Sequence, residues 1–493
     1  MVLLVFSVLI GSQISDGIKA SFNAFAIIGA VAVAFGMLLM GKRSWLLLYY
    51  LPPALVCVPI YRAEMPIGYS LSLVVFVCGI LMASLRIISL KWRSHVVCDS
   101  LIVCMLVVCV WNYIQHPVSL QALDPDAEYV GGKEFFWGIL AMVYYIALSS
   151  MSGSPEEILT TVRRSFYALC IGQSVEYLYA FKNIGFNFGT RYEILSFLAC
   201  PLLYFVYCSA STWKILRTPK LLFLGLLALF FILINGRREV FGYAGEAIGF
   251  AALLKRELFG LAFCGGLVYA LLFGLGAIGA WNDAPYSVQR VLTILPGVQV
   301  GAGAQTETAG SSKTRKMAWA YAFDTRYGRI GDYVWGDGFQ TSTKELQRSS
   351  VAAMRGHEVS AQDFALTLAS GTNLWHNGWL NTLKTLGAVG LTVVNLIFIC
   401  GMVMLAQVSA AYKGSRFYPY IMAQGLVFVQ FALSYMWGTQ TLVTFFQTFQ
   451  QLAMIKLVYC AAREQGLMIP LIHRRRYVPL MIRETQQSGT AAA

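Results

Sequence analysis

The stretch Trp375-His376-Asn377-Gly378-Trp379-Leu380-Asn381-Thr382-Leu383-Lys384-Thr385-Leu386-Gly387-Ala388-Val389-Gly390-Leu391 closes the chain's one long polar region and opens an apolar one. On a helix, His376, Leu380, Leu383, Gly387 and Gly390 follow one another at three- and four-residue steps and share one face. The two glycines on that face let a neighbouring helix approach closely, as small residues do in membrane bundles. The pattern predicts a membrane helix with a titratable imidazole at its water-facing lip.

Composition carries that reading outward. Hydrophobic residues make up 57% of the chain and charged residues 12%, and the mean hydropathy is +0.62. A soluble protein carries about twice that share of charge. Apolar runs of spanning or near-spanning length start near residues 2, 22, 45, 68, 96, 135, 165, 193, 221, 239, 258, 378, 419 and 440. The expected fold is therefore an all-α polytopic membrane protein with about fourteen transmembrane helices. The first run lacks a basic leader and a cleavage site and reads as a retained helix.

Basic residues set the expected orientation. Lys42, Arg43, Arg86, Lys91, Arg93, Arg163, Arg164, Lys214, Arg217, Lys220, Lys255, Arg256, Lys413 and Arg416 fall in alternate loops, and Arg474–Arg476 join them in the tail. The positive-inside rule makes that side cytoplasmic, together with both termini. The net charge of +13 then reports topology and contact with anionic lipid heads, not nucleic acid. The cysteines all lie in or at the ends of apolar runs and read as small core residues, not as a disulfide framework.

One loop is long. Residues Asn282–Leu374 separate two spans on the side expected to be external, and a loop of that length is usually functional. Within it, Gly301–Ser312 reads as a flexible connector or lid hinge. Lys313–Tyr327 has helical spacing, and Trp335-Gly336-Asp337-Gly338-Phe339 reads as a tight turn between aromatics. The expected divisions are 1–219, amino-terminal helices; 220–281, helices carrying an external arginine pair; 282–375, the long loop; 376–460, carboxy-terminal helices; and 461–493, a tail.

The orientation rule makes external cations conspicuous. Arg237 and Arg238, in Asn235-Gly236-Arg237-Arg238-Glu239, stand at an external corner. Arg191 begins another helix there, and Arg290, Arg315 and His376 lie along or at the end of the long loop. Singly, each arginine is explained by snorkelling to the headgroups or by pairing with an acid such as Glu239. As a set converging with His376, they predict a bound anion, and planar guanidinium forks suit the oxygens of a lipid-linked phosphate. A lipid diphosphate-linked sugar is already activated. The chain would need cations to stabilise the leaving diphosphate and a base for the acceptor hydroxyl, for which histidine is suited. Asp124-Pro125-Asp126 has the form of a metal-binding pair, but a proline between aspartates more often marks a turn.

His376-Asn377, nine residues, then Gly387 and Gly390 resemble the signature of the bacterial O-antigen ligase and O-antigen polymerase superfamily. Gly336-Asp337-Gly338-Phe339 is similar to that family's Gly-x-Gly turn, and Arg315-Lys316-Met317-Ala318-Trp319 to its Arg-x-x-x-Trp element. Arg237 or Arg238 occupies the place of its arginine two helices before the long loop. The resemblance covers about residues 220–460. It implies a GT-C-like helical fold with one long periplasmic loop in the bacterial inner membrane. It also implies metal-independent, cofactor-free, inverting transfer of glycan from undecaprenyl diphosphate to a glycan or lipid-linked acceptor. His376 would be the base, with Asn377, Gly387, Gly390, Gly336 and Gly338 as motif support. Arg238 or Arg237 and Arg315 would bind the diphosphate, with Arg290 and Arg191 as further diphosphate-binding candidates. Membrane lipids and other polysaccharide-assembly proteins are the remaining expected partners. Eleven runs precede the long loop where ligases of this kind have nine helices, which leans the reading to a polymerase of O-antigen or exopolysaccharide; a ligase joining glycan to lipid A-core is the alternative. A flippase or exporter would want membrane arginines, but neither the long loop nor the histidine at its end.

Overall fold

The computed structural model describes residues 93–118, 129–130, 132–149, 153–184, 195–234, 238–323, 330–339, 341–342, 377–438 and 445–467. The first four expected spans, His376, Arg191, Arg237 and Asp124–Asp126 lie outside the described residues.

The described chain is helical: α1 Val96–Gln115, α2 Gly132–Ser149, α3 Pro155–Ile184, α4 Leu195–Ser209, α5 Thr212–Arg217, α6 Pro219–Ile234, α7 Arg238–Lys255, α8 Leu258–Ala277, α9 Tyr286–Leu292, α10 Ala302–Phe323, α11 Gly378–Tyr412, α12 Tyr418–Trp437 and α13 Phe445–Glu464. The one sheet among these residues is an antiparallel bridge between β1 Tyr129–Val130 and β2 Thr341–Ser342. It joins the second expected external loop to the long one. Helices α1, α8 and α11 are long and apolar enough to cross a membrane, and α6 is a shorter apolar helix. The chain is a membrane protein.

Local chemistry explains the boundaries. His95 caps α1, its Nδ1 accepting from the Cys98 amide at 3.2 Å, while the Asp99 carboxylate accepts from the His95 amide at 2.9 Å. Helix α3 begins ten residues before the apolar run that predicts it. Ser154 and Glu157 form a reciprocal capping box there (Glu157 amide to Ser154 Oγ, 3.3 Å; Ser154 amide to Glu157 Oε2, 2.8 Å), with Pro155 at the first position. Hydropathy does not register such polar turns.

The core lies where α11, α12 and α13 pack together and against α1, α2, α3 and α4. Phe398, Phe428, Tyr435, Phe445 and Phe449 interlock there, with ring centroids 5.2–6.1 Å apart. Helix α8 stands at the edge of the described bundle with Phe259, Leu267 and Leu271 outward, as expected of a lipid-facing span.

Two polar knots tie one end of the bundle. Asp99 Oδ1 meets the fully buried Lys456 ammonium at 2.5 Å and accepts from the Tyr145 hydroxyl at 2.9 Å, joining α1, α2 and α13. Arg93 grips both carboxylate oxygens of Glu464 (2.6 and 2.9 Å). At the α7–α8 corner, Glu257 accepts from the Thr212 amide and hydroxyl (3.1 and 3.0 Å) and pairs with Lys255 at 3.1 Å. Burial pushes the Glu257 carboxyl up, but the hydrogen bonds and charge of Lys255 and the two bonds from Thr212 outweigh it, leaving the carboxyl below its usual range.

Candidate functional site

Asn377 opens α11. Its Oδ1 accepts from the Leu380 amide at 3.1 Å, and its Nδ2 donates to the Met436 carbonyl at 2.9 Å, so one side chain caps the helix and ties it to the end of α12. Gly378 lies against Tyr435, where a Cβ would stand 2.5 Å from the Tyr435 carbonyl oxygen. The Tyr435 and Thr382 hydroxyls are hydrogen-bonded within the bundle. His376 therefore precedes a rigidly held residue.

Three turns in, α11 breaks. Gly387 has φ 66° and ψ −171°, a conformation essentially confined to glycine. The segment 331–339 docks into the break. The Ala388 amide donates to the Tyr333 carbonyl at 2.8 Å and the Val389 amide to the Val334 carbonyl at 3.2 Å, while the Asp337 amide donates to the Lys384 carbonyl at 2.6 Å. A Cβ on Gly387 would collide with the Val334 carbonyl, and one on Gly336 would stand 2.5 Å from the Gly387 amide nitrogen. Gly336 and Gly338 both have positive φ, 86° and 80°, the tight turn expected of this sequence.

This corrects the expectation of one continuous helical face receiving a neighbouring helix. The occupant at Gly387 is the Gly336–Gly338 turn, and a Cβ on Gly390 would meet Leu386 of its own helix. A broken membrane helix often offers free amides to an anion, but here loop carbonyls have already taken those of Ala388 and Val389. An anion at this site needs side-chain cations.

The turn is built by its own acids. Asp337 accepts from the Gly331 and Asp332 amides (2.8 and 2.9 Å), and Asp332 from the Val334 and Trp335 amides (2.7 and 3.0 Å). Its other side rests on α1: Asn112 Nδ2 donates to the Trp335 carbonyl, and a Cβ on Gly338 would stand 2.5 Å from His116 Cβ. Phe339 is fully buried, with its ring 5.5 Å from Phe135. Asn112 is a residue that sequence reading missed; a lone asparagine in an apolar run carries no partner information.

The cations divide. Arg238 heads α7 and is partly buried, and α7 packs against α12, α9 and α11. Arg290 lies on α9, which packs against α6 and α7, so the helices carrying Arg238 and Arg290 are neighbours. Arg290 Nη2 is paired with Glu307 Oε1 at 2.9 Å. Arg315 falls within α10. Gly301–Ser312, expected as a flexible connector, is the first half of α10 from Ala302 on. The Thr306 and Thr308 hydroxyls bond back to the carbonyls four residues earlier (3.0 and 2.8 Å), and Ala304 is buried against α9. Small residues that read as a linker become helical because these contacts with the α9 face offset their ordering cost. Among the described residues, no group of three or more His, Cys, Asp or Glu could hold a metal ion.

The chain matches no known protein-family model and no curated protein.

Proposed function

We propose that this membrane protein is a glycosyltransferase of the O-antigen ligase and polymerase type. It moves glycan from undecaprenyl diphosphate to an acceptor hydroxyl at the periplasmic face of the bacterial inner membrane. The proposed architecture is GT-C-like, with about fourteen spans and 282–375 as the periplasmic loop. His376 takes the acceptor proton as the hydroxyl attacks the anomeric carbon. Arg238 (or Arg237) and Arg315 stabilise the charge that grows on the leaving diphosphate. The lean is to a polymerase, with the ligase as the alternative.

One observation carries the reading. Two of the four elements that carry the resemblance, the Gly336-Asp337-Gly338 turn and Gly387 of the histidine motif, are about fifty residues apart in the chain yet meet at the break of α11. The supporting cation, Arg238, begins a helix that packs on both α12 and α11.

The test is the surface glycan of a deletion strain complemented with variants. Loss of a polymerase leaves single repeats on the acceptor; loss of a ligase leaves none and accumulates lipid-linked polymer. His376→Ala is expected to abolish transfer with normal membrane insertion, and His376→Gln to fail equally, because an amide cannot take the proton. Near-wild-type glycan from the glutamine variant would remove the base role, and an unchanged glycan in the deletion strain would sink the proposal.

A further inference from the structure

Three aromatic rings form a row on the exposed side of the long loop. Trp319 and Phe323, one turn apart on α10, have ring centroids 6.0 Å apart and planes 16° apart; Phe323 and Tyr333 repeat the 6.0 Å step with planes 5° apart. At that spacing parallel rings are offset, so each leaves part of its face uncovered. Phe323 is 51% and Tyr333 40% exposed. The row is held in place: the Tyr333 hydroxyl donates to the Ala322 carbonyl at 3.1 Å, and the Tyr333 carbonyl accepts from the Ala388 amide at 2.8 Å. Two rings thus belong to α10 and the third to the segment docked in the break of α11, which makes the row continuous with the candidate site.

The surroundings select the occupant. A helix lying in lipid buries a broad apolar face, but α10 contains no Leu, Ile or Val. Ser312, Lys316, Trp319 and Phe323 follow one another at four-, three- and four-residue steps on one face, the first two exposed. The aromatic pair suited to the membrane boundary is a different one: Trp111, four residues before the end of the apolar α1, with its ring 6.3 Å from that of Trp335. A protein partner is poorly served as well. Fully covered aromatic side chains bury about 150–250 Å² each, so three half-open ones fall well short of the ~800 Å² that each side of a stable interface covers. Flat faces beside hydrogen-bonding groups match a sugar, which carries a face of weakly positive C–H hydrogens and an edge of hydroxyls. The negative face of an aromatic ring attracts such hydrogens.

We infer that Trp319, Phe323 and Tyr333 form a sugar-stacking platform that binds a glycan chain through the C–H faces of its rings, beside the joint between the long loop and α11. The inference rests on the glycan-transfer reading for the source of that chain. Ser312 and Lys316 extend the same helix face with groups that bond to hydroxyls. Because the rings are fixed before the glycan arrives, binding orders little of the protein.

The experiment titrates lipid-free oligosaccharide, released by mild acid from the surface polysaccharide of the source cells, into the full-length protein in nanodiscs, with binding read by calorimetry. Trp319→Ala and Phe323→Ala are each expected to weaken binding about threefold to tenfold, the worth of one aromatic contact. Phe323→Tyr should bind as the wild type does, because the flat face remains. Phe323→Leu keeps the apolar area and the fold but should bind as weakly as the alanine variant. Wild-type affinity in Phe323→Leu, or in both alanine variants, overturns the inference. In nanodiscs with brominated acyl chains, the Trp319 fluorescence, taken as the difference between wild type and Trp319→Phe, should be unquenched; quenching would put the row in lipid and overturn the inference. His376→Ala should bind the oligosaccharide normally, since it removes the proposed base and leaves the rings. A wild-type protein that binds no oligosaccharide overturns the platform and leaves the transfer reading to the deletion strain. An unchanged glycan in that strain removes the transfer reading, while ring-dependent binding would still establish a carbohydrate site.

Discussion

Replacing Gly387 with alanine tests the joint on which the candidate site is built. The φ of 66° and ψ of −171° at this position cost a residue with a side chain about 1–3 kcal/mol. The new Cβ would also collide with the Val334 carbonyl, which the Val389 amide holds at 3.2 Å beside the Ala388–Tyr333 bond at 2.8 Å. Relieving the collision by lifting the turn surrenders those two bonds, at about 1 kcal/mol each. The expected loss in docking stability is therefore about 3–5 kcal/mol, or roughly 10²–10⁴-fold in the opening equilibrium. Hydrogen exchange read by mass spectrometry should show the amides of Asp337, Ala388 and Val389 losing protection by about that factor. Two controls separate the causes. Gly249 lies within α7, and a Cβ added there would meet nothing within 4 Å, so Gly249→Ala should be neutral or stabilising by about 0.5–1 kcal/mol. Gly414 has φ 85° but open space around it, so Gly414→Ala should show backbone strain alone, about 1–2 kcal/mol. Protection in Gly387→Ala within threefold of wild type would show that the turn does not depend on the break, and the account of the site would fail with it.

Further outcomes follow from the cations and the buried pairs. At Arg238 and Arg315, arginine should transfer glycan best, lysine partially, and alanine about 10²–10³-fold more slowly; alanine at Arg237 should be tolerated better, and full glycan assembly by the Arg237 and Arg238 alanine variants would make the pair a headgroup anchor. Asp99→Asn or Lys456→Met alone leaves a buried charge uncompensated and should destabilise by about 3–5 kcal/mol, while the double variant loses less; unfolding in nanodiscs measures the difference, and additive losses would refute the pairing. Because Glu257 has its carboxyl held below the usual range, its contribution is present at neutral pH and is lost as pH falls through the lowered value. Glu257→Gln should therefore destabilise near pH 7, and the gap to wild type should close on acidification; a pH-independent gap would refute the assignment.

Much of the architecture is legible from residue order because membrane helices obey a local rule. A run must be apolar enough to leave water, and its backbone must bond to itself. Hence α1, α8, α11 and α12 begin at or within one residue of where hydropathy places them. The tight turn at Gly336–Gly338 was also readable, since glycines around an aspartate have few other uses. The polar start of α3 and the helical character of 302–312 were not, because a capping box and a partner face do not register in an average of hydropathy.

Composition and residue order alone mark a membrane protein, place its apolar helices, and crowd glycines and a histidine at the start of one of them. What those glycines are for emerges when the chain packs. Gly387 does not smooth a seam for another helix; it breaks α11 so that the carbonyls of Tyr333 and Val334 can take the amides of Ala388 and Val389. A close approach depends on two surfaces, and a sequence pattern displays only one of them. The same holds for Arg290. Its charge is visible in the sequence, but its grip on Glu307 exists only once α9 and α10 have packed.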